Sequence, residues 1–361
     1  MKFASKLIKN ITPYTPGEQP QDKRYIKLNT NENPLPPSPK VKAVLENYDI
    51  GKLRLYPDPT AQSLKITIAH TYRLDAENVF IGNGSDEVLA FCFPAFFNKG
   101  DSIACYDITY SFYPVYADFF GIKYKAIPLV NLMPDVSAFE NISAKGILLA
   151  NPNAPTGIAL KKEDIEKIVK NNAEKIVIID EAYIDFCHES VVDLIPIYPN
   201  LLVVQTLSKS YSLAGARCGM ALGHKDLIKA LNIVKSSFNS YTSNALTLAI
   251  AEVAFADTAW HKECIDKVTK IRDTVSQRLA EMNFELTPSS ANFLFIKVGE
   301  GKKYYLALKE KGILVRYFDT PQLSSYIRVT IGHFEQMAKF LEVMQCLSIR
   351  LCEVRSNPDL R

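Results

Sequence analysis

GILLANPNAPTGIALKKEDIEKIVKNNAEKIVIIDEAY, residues 146–183, reads as one strand, one helix and a second strand. GILLA (146–150) and KIVIID (175–180) are short, nearly continuous apolar runs, the pattern of strands buried on both faces. KKEDIEKIVKNN (161–172) between them is amphipathic and long enough for a crossover helix. The same rhythm extends outward. NVFIG (78–82), SIACY (102–106), GIKYKAI (121–127) and LLVVQ (201–205) also read as strands, with helix-like stretches between them. This predicts an α/β fold with a mostly parallel sheet covered by helices on both faces. Ligands in such sheets bind beyond the carboxyl ends of the strands.

The pattern changes near residue 250. AWHKECIDKVTKIRDTVSQRLAEM (259–282) reads as one long amphipathic helix. FLFIKV (293–298), ILVRYF (313–318) and YIRVTIG (326–332) read as strands, with one helix between the first two and another after the last. The expected organisation is an N-terminal arm over 1–35 with little regular structure, a large domain over 36–250 and a small α+β domain over 251–361. At 361 residues the chain is long enough for two domains. It is 47% apolar and 22% charged, with a formal charge of +3 and no long basic run. That argues against nucleic acid as the main partner. The apolar runs are far shorter than a membrane span, and the N-terminus shows no signal peptide, so the expected setting is cytoplasmic. The cysteines at 92, 105, 187, 218, 264, 346 and 352 are odd in number and lack C-x-x-C spacing. They read as reduced thiols rather than a disulfide framework or a zinc site, and no metal is expected.

The informative motifs stand where apolar strands stop. In VFIGNGSDE, Gly82 and Gly84 permit a tight turn, and Ser85 and Asp86 open a helix whose free N–H groups suit an anion. A phosphate cradle and an ordinary capped turn fit this stretch equally. Asp180 closes KIVIID as a carboxylate that needs a cation if the site is dry, or caps a helix if it is not. Tyr110, in DITYSFY, can stack on a planar ligand or pack in the core.

Lys209, in TLSKSYSLAGARCG (206–219), has no such bland account. It follows an apolar strand, no acidic residue lies in the stretch, and Arg217 stands eight residues on. Desolvation and like charge would lower the pKa of its amine and make it a nucleophile for carbonyls. Thr206, Ser208 and Arg217 would suit a bound phosphate. Two phosphate-binding stretches, a carboxylate, an aromatic ring and a nucleophilic lysine match the groups of pyridoxal 5′-phosphate one for one.

NPNAPTG (151–157), DEAY (180–183) and TLSKSYSLAGARCG resemble the fold-type I aminotransferases that use pyridoxal phosphate. ITPYTPGEQP (11–20), KLNTNENPLPPSP (27–39), LRLYPDPT (53–60), GNGSDE (82–87) and IRVTIG (327–332) are most similar to the histidinol-phosphate aminotransferase branch. The resemblance covers nearly the whole chain. It implies a large domain with a sheet of the seven-stranded type and a small C-terminal domain. It implies that Lys209 forms the Schiff base and carries the proton between Cα and C4′. Asp180 would keep the pyridine nitrogen protonated, Tyr183 would bond the ring oxygen and Tyr110 would stack on the ring. Gly84, Ser85, Asp86, Thr206, Ser208 and Arg217 would hold the phosphate. Tyr56 would reach the cofactor of a second copy, which implies a homodimer. Arg328 would take the carboxylate of an amino acid such as glutamate, or else the substrate phosphate. Tyr14 and Arg316 would take the phosphate of histidinol phosphate, and Asn31 and Glu32 would line the entrance.

At Ala154 the chain departs from the family, which often has an asparagine there that bonds the ring oxygen. Asn153, an ordered water or Tyr183 alone would then serve. The implied reaction is transamination between L-histidinol phosphate and 2-oxoglutarate. The same scaffold also carries aromatic aminotransferases and phosphothreonine decarboxylases, because the motifs do not decide which Cα bond stands perpendicular to the ring. A non-catalytic cofactor-binding regulator would usually carry a DNA-binding segment, and the Pro-rich arm is too short for a helix-turn-helix.

Overall fold

The structure is a computed structural model and describes residues 1–21, 25–187 and 189–356. Thirteen strands are described. They are β1 (Ile26–Lys27), β2 (Val79–Gly82), β3 (Ser102–Tyr106), β4 (Lys123–Ile127), β5 (Gly146–Ala150), β6 (Ile176–Asp180) and β7 (Leu201–Thr206). Then follow β8 (Gly219–Gly223), β9 (Glu285–Leu286), β10 (Phe293–Lys297), β11 (Ile313–Leu314), β12 (Arg316–Tyr317) and β13 (Tyr326–Thr330).

A seven-stranded sheet runs in the order β2-β8-β7-β6-β5-β3-β4. The pairs from β4 to β7 are parallel, as the apolar runs predict, and β8 is antiparallel to both neighbours. Alternate residues feed separate cores on the two faces. Ile147, Leu149, Val177 and Ile179 enter one, and Leu148, Ile178, Leu202 and Val204 enter the other. Both faces are sealed, so the polar groups of these strands emerge only at their ends.

Strand β8 is absent from the sequence reading. GMALG is short and holds two glycines, so its propensity is weak. It is made by pairing, between β2 and β7, and it sets Gly82, Gly219 and Thr206 level on three adjacent strands. ILVRYF does not form one strand. Ile313–Leu314 pairs in parallel with β1, whereas Arg316–Tyr317 joins β13 in a second sheet, β12-β13-β10-β9. The arm is tied down as well. It holds a helix, Lys6–Asn10, and strand β1, and the Leu28 carbonyl accepts from Thr330 N at 2.9 Å. Leu28 is buried in a third core with Val268, Ile296 and Phe340. The long helix spans Thr258–Glu281, one residue from its expected place. Among the described residues no helix is long and apolar enough to cross a membrane. The cysteines other than Cys352, whose side chain lies outside the described residues, carry free thiols.

Candidate active site

The carboxyl ends of β2, β3, β5, β6 and β7 open into one cleft of about 430 Å³, closed on its other side by the arm and by β12 and β13. Lys209 is half-buried in its floor, immediately after Ser208, whose N donates to Thr206 Oγ1 at 3.2 Å. The lysine Nζ donates to the Thr30 carbonyl at 3.3 Å and stands 5.6 Å from the centre of the Tyr183 ring. No carboxylate pairs with Lys209 among the described salt bridges, in keeping with its acid-free stretch.

Asp180 ends β6 and is buried. Its Oδ2 accepts from the Tyr113 hydroxyl at 2.7 Å and its Oδ1 from Ala182 N at 3.2 Å. Burial pushes its carboxyl up to about 6, against those two hydrogen bonds. It is therefore mostly ionised at neutral pH, an anion held by two neutral donors and in need of a cation. The next residue, Glu181, points to the opposite face, as strand geometry requires. It is capped there by Ser190 Oγ, Val191 N and Gln205 Nε2, and burial raises its carboxyl to about 7. It takes no part in the cleft.

The antiparallel β8 assembles an anion cradle. The helix Ser85–Phe96 starts at Gly84, which has φ 85° and supplies no side-chain cap. Arg217, itself left-handed with φ 56°, lies against this turn, and a Cβ on Gly84 would stand 2.4 Å from its Nη2. A Cβ on Gly219 would stand 2.3 Å from Ser85 N. These contacts leave no room for side chains, and they bring the helix N-terminus, Arg217, Thr206 and Ser208 together. Thr206 Oγ1 donates to Ser208 Oγ at 2.9 Å. Asp86 holds the rim: its Oδ2 lies 3.3 Å from Arg217 Nη2, and its Oδ1 accepts from the Tyr110 hydroxyl at 3.0 Å. Tyr110 faces the cleft with its ring packed edge-on against Tyr113, and burial followed by the Asp86 charge raises its phenol.

The opposite wall is cationic. Arg316 and Arg328 are paired across β12 and β13, with their guanidinium carbons 5.5 and 5.6 Å from the Phe318 ring. Arg316 Nη2 donates to the Thr15 carbonyl at 3.2 Å and Arg328 Nη2 to the Asn29 carbonyl at 3.3 Å. Arg328 Nε is sealed from solvent with no hydrogen-bond partner. Burial, and to a lesser degree the like charge of Arg316, lowers the Arg328 pKa. Such a group awaits an anion. Tyr14 lines the same wall, its ring stacked on Phe112. Glu32 also reaches the cleft and is paired with Lys27 at 2.5 Å.

Three expected residues do not line the cleft directly. Gly84 lies behind Arg217 rather than on the surface of the cleft. Asn153 faces away: its Oδ1 accepts from Thr109 Oγ1 at 2.8 Å, and its Nδ2 donates to the Ile108 carbonyl and Thr156 Oγ1, each at 3.0 Å. Its amide is thus committed to the loop, and Ala154 takes the cleft position instead. Tyr56 is 81% exposed, its ring stacked on Tyr241 and outside the cleft of its own chain.

A family model, aminotransferase class I and II, matches residues 23–344. The chain belongs to the class I and II aminotransferases. Among curated relatives, the chain is similar to proteins named histidinol-phosphate aminotransferase from Clostridium botulinum strain 657 and from Brachyspira hyodysenteriae. They are 49% and 51% identical over 344 residues, which are 94% of this chain and 97% of each relative. Among solved structures it is similar to histidinol-phosphate aminotransferase from Sinorhizobium meliloti in complex with pyridoxal-5′-phosphate, at 22% identity. The TM-score is 0.87, and the match covers 97% of this chain and 99% of that one. Aspartate aminotransferase from Thermus thermophilus is similar at 19% identity and a TM-score of 0.80 over 96% of this chain. The fold is therefore that of the fold-type I transferases.

In this aminotransferase several groups that shape the cleft carry little signal in the sequence. Tyr113 stands three residues after Tyr110, and the spacing hints at a shared face but gives no sign of its bond to Asp180. Phe318, against both arginines, stands in the sequence only as the end of an apolar run. Asn31, expected at the entrance, lines the cleft while only 1% exposed, and donates from Nδ2 to the Tyr183 oxygen at 2.8 Å.

Proposed function

We propose that the chain transfers the amino group of L-histidinol phosphate to 2-oxoglutarate, giving imidazole-acetol phosphate and L-glutamate, with pyridoxal 5′-phosphate as cofactor. One observation carries this: a lysine without a carboxylate partner, a buried carboxylate without a cation and an open helix N-terminus beside an arginine share one cleft. Each lacks the partner that one of the cofactor's groups would supply. The near full-length similarity to curated relatives that bear the histidinol-phosphate aminotransferase name supports the substrate.

The residues fit the cofactor. The glycine-capped turn at residue 84 and the helix start at Ser85 would hold its phosphate, with Thr206, Ser208 and Arg217. Asp180 would face its ring nitrogen, Tyr183 its ring oxygen and Tyr110 its face. When bound, pyridoxal phosphate supplies an aldehyde that captures the substrate amine and a ring that draws electrons from Cα. Lys209 moves the proton at the substrate Cα, and its contact with the Thr30 carbonyl parks the amine when it is free. Asp180, anionic at neutral pH, keeps the ring nitrogen charged. Arg328 orients the carboxylate of glutamate. Arg316 and Tyr14 face the phosphate of the larger substrate.

The reading includes a homodimer in the cytoplasm, with no nucleic acid or membrane partner. Tyr56, Leu53, Leu55 and Phe238 are exposed apolar side chains that a second copy would cover, its cleft receiving Tyr56. The free thiols fit a reducing compartment. The reading also divides the chain into arm, large domain and small domain. The arm would cover 1–35, the large domain 36–250 and the small domain 251–361; the helix Ala245–Ala256, which spans the second division, packs into the large core through Ala251 and Phe255.

The test is borohydride reduction of the purified protein followed by peptide mapping, with side-by-side assay of histidinol phosphate, phenylalanine and O-phosphothreonine as donors. The expected result is a pyridoxyl group on Lys209, with keto product formed fastest from histidinol phosphate and no carbon dioxide. Lys209→Ala is expected to lose about 10²–10⁴-fold in turnover. Full turnover in that variant, or carbon dioxide release as the main outcome, refutes the assignment.

A further inference from the structure

Four positions of the arm between residues 29 and 33 make hydrogen bonds around the cleft. The Asn29 carbonyl meets Arg328, the Thr30 carbonyl meets Lys209, the Asn31 side chain meets Tyr183, and Asn33 Nδ2 donates to the main-chain carbonyls of Lys209 and Ser210. Asn31 is the most constrained of these. Its backbone is left-handed with φ 57°, a conformation that asparagine tolerates better than most residues. Its N–H donates to Thr330 Oγ1 at 2.9 Å, and its carbonyl accepts from Asn292 Nδ2 at 3.0 Å.

The side-chain amide is oriented by the same threonine. Thr330 Oγ1 accepts from the Asn31 main chain, so its own proton is free for Asn31 Oδ1, 3.2 Å away. That leaves the Asn31 NH₂ facing the Tyr183 oxygen at 2.8 Å. A phenol has one proton. When its oxygen accepts from Asn31, that proton points elsewhere. Phe293 packs edge-on against the Tyr183 ring at 5.1 Å and Ala154 shares the same small apolar cluster, while Tyr183 itself lines the cleft.

We propose that Asn31 is a positioning residue for Tyr183: by donating to the phenol oxygen it directs the Tyr183 proton into the cleft as a hydrogen-bond donor. The inference rests on the reading that the cleft holds pyridoxal phosphate. It gives the arm a part in setting the electronic state of the cofactor, beyond lining the entrance. A hydrogen bond donated to the ring oxygen withdraws electron density from the ring. Its loss makes the nitrogen linked to Lys209 more basic.

The experiment is a pH titration of the visible absorption of the resting holoenzyme, in parent, Asn31→Gly, Thr330→Val, Tyr183→Phe and Asn31→Gly/Tyr183→Phe proteins. Glycine keeps the left-handed backbone without strain, so the first variant removes the amide and leaves the turn. Thr330→Val keeps the amide and unties it. Asn31→Gly and Tyr183→Phe are each expected to raise the midpoint by about one pH unit, a tenfold change in proton affinity. Thr330→Val is expected to raise it by less. In the double variant the two changes are expected not to add, because they act through one hydroxyl. An unmoved midpoint in both Asn31→Gly and Thr330→Val overturns the proposal, as do fully additive shifts in the double variant. A parent protein with no pH-dependent visible band overturns the cofactor reading, and this inference with it.

Discussion

Removing one oxygen from Tyr113 tests the electrostatics of the cleft. The Tyr113 hydroxyl is fully buried and lies 2.7 Å from Asp180 Oδ2. Tyr113→Phe removes this donor from a fully buried position. A hydrogen bond to a charged group is worth about 1.5–3 kcal/mol, and one pKa unit is about 1.4 kcal/mol, so the Asp180 carboxyl should rise by about one to two units. In the parent apoprotein burial has already pushed it to about 6. At pH 7 the carboxylate then goes from about nine-tenths ionised to between one-half and one-tenth ionised. A protonated Asp180 cannot hold a charged ring nitrogen. Cofactor affinity should therefore fall by about two- to tenfold at pH 7 from ionisation alone, with the deficit growing toward pH 6 and fading above about pH 9.

The sign for stability follows from the same shift. A folded carboxyl raised above its reference of 3.8 keeps a proton that the unfolded chain releases. Its contribution to the apoprotein is fully present below that reference and is lost as pH rises through the folded value. The parent should lose this increment by about pH 6 and the variant only by about pH 7–8. The assay is cofactor binding to apoprotein between pH 6 and 9, read as the ratio of the two dissociation constants so that the cofactor's own titrations cancel, with melting curves over the same range. A ratio that does not vary with pH, together with parallel melting profiles, refutes the reasoning.

Arg328→Met should weaken kcat/KM for glutamate by about 30-fold or more, the cost of leaving a buried carboxylate unpaired. The apoprotein should melt slightly higher, because an unsatisfied cation is removed, and an unchanged kcat/KM would sink the carboxylate assignment. Gly219→Ala should loosen the anion cradle, because its Cβ meets the main-chain atoms Ser85 N and Gly84 C at 2.3 and 2.4 Å. The cost is about 1–3 kcal/mol, read as weaker competition by inorganic phosphate against cofactor binding. Gly215→Ala, with nothing within 4 Å of the added carbon, should bind phosphate like the parent.

Much of the cleft is legible in the chain because chemistry collects where apolar runs stop. Asp180, Thr206, Ser208 and Lys209 can all be placed that way, since a strand sealed on both faces can release polar groups only at its end. Arg217 could be identified by its neighbourhood, but its position depends on β8, whose weak sequence makes a strand only between β2 and β7. The exclusion of Asn153 likewise depends on Thr109 and Ile108, more than forty residues away, which take up its amide.

The sequence by itself determined the rhythm of strands and helices, the lysine, the buried carboxylate and the family motifs, because these depend on local periodicity and on residues near one another in the chain. Tertiary structure alone decided the strand order, the break of ILVRYF at Val315, the bond from Tyr113 to Asp180 and the reach of Asn31 across 299 positions to Thr330. Those are pairings between distant segments, and no local pattern can encode which buried donor will meet which acceptor once the core has closed.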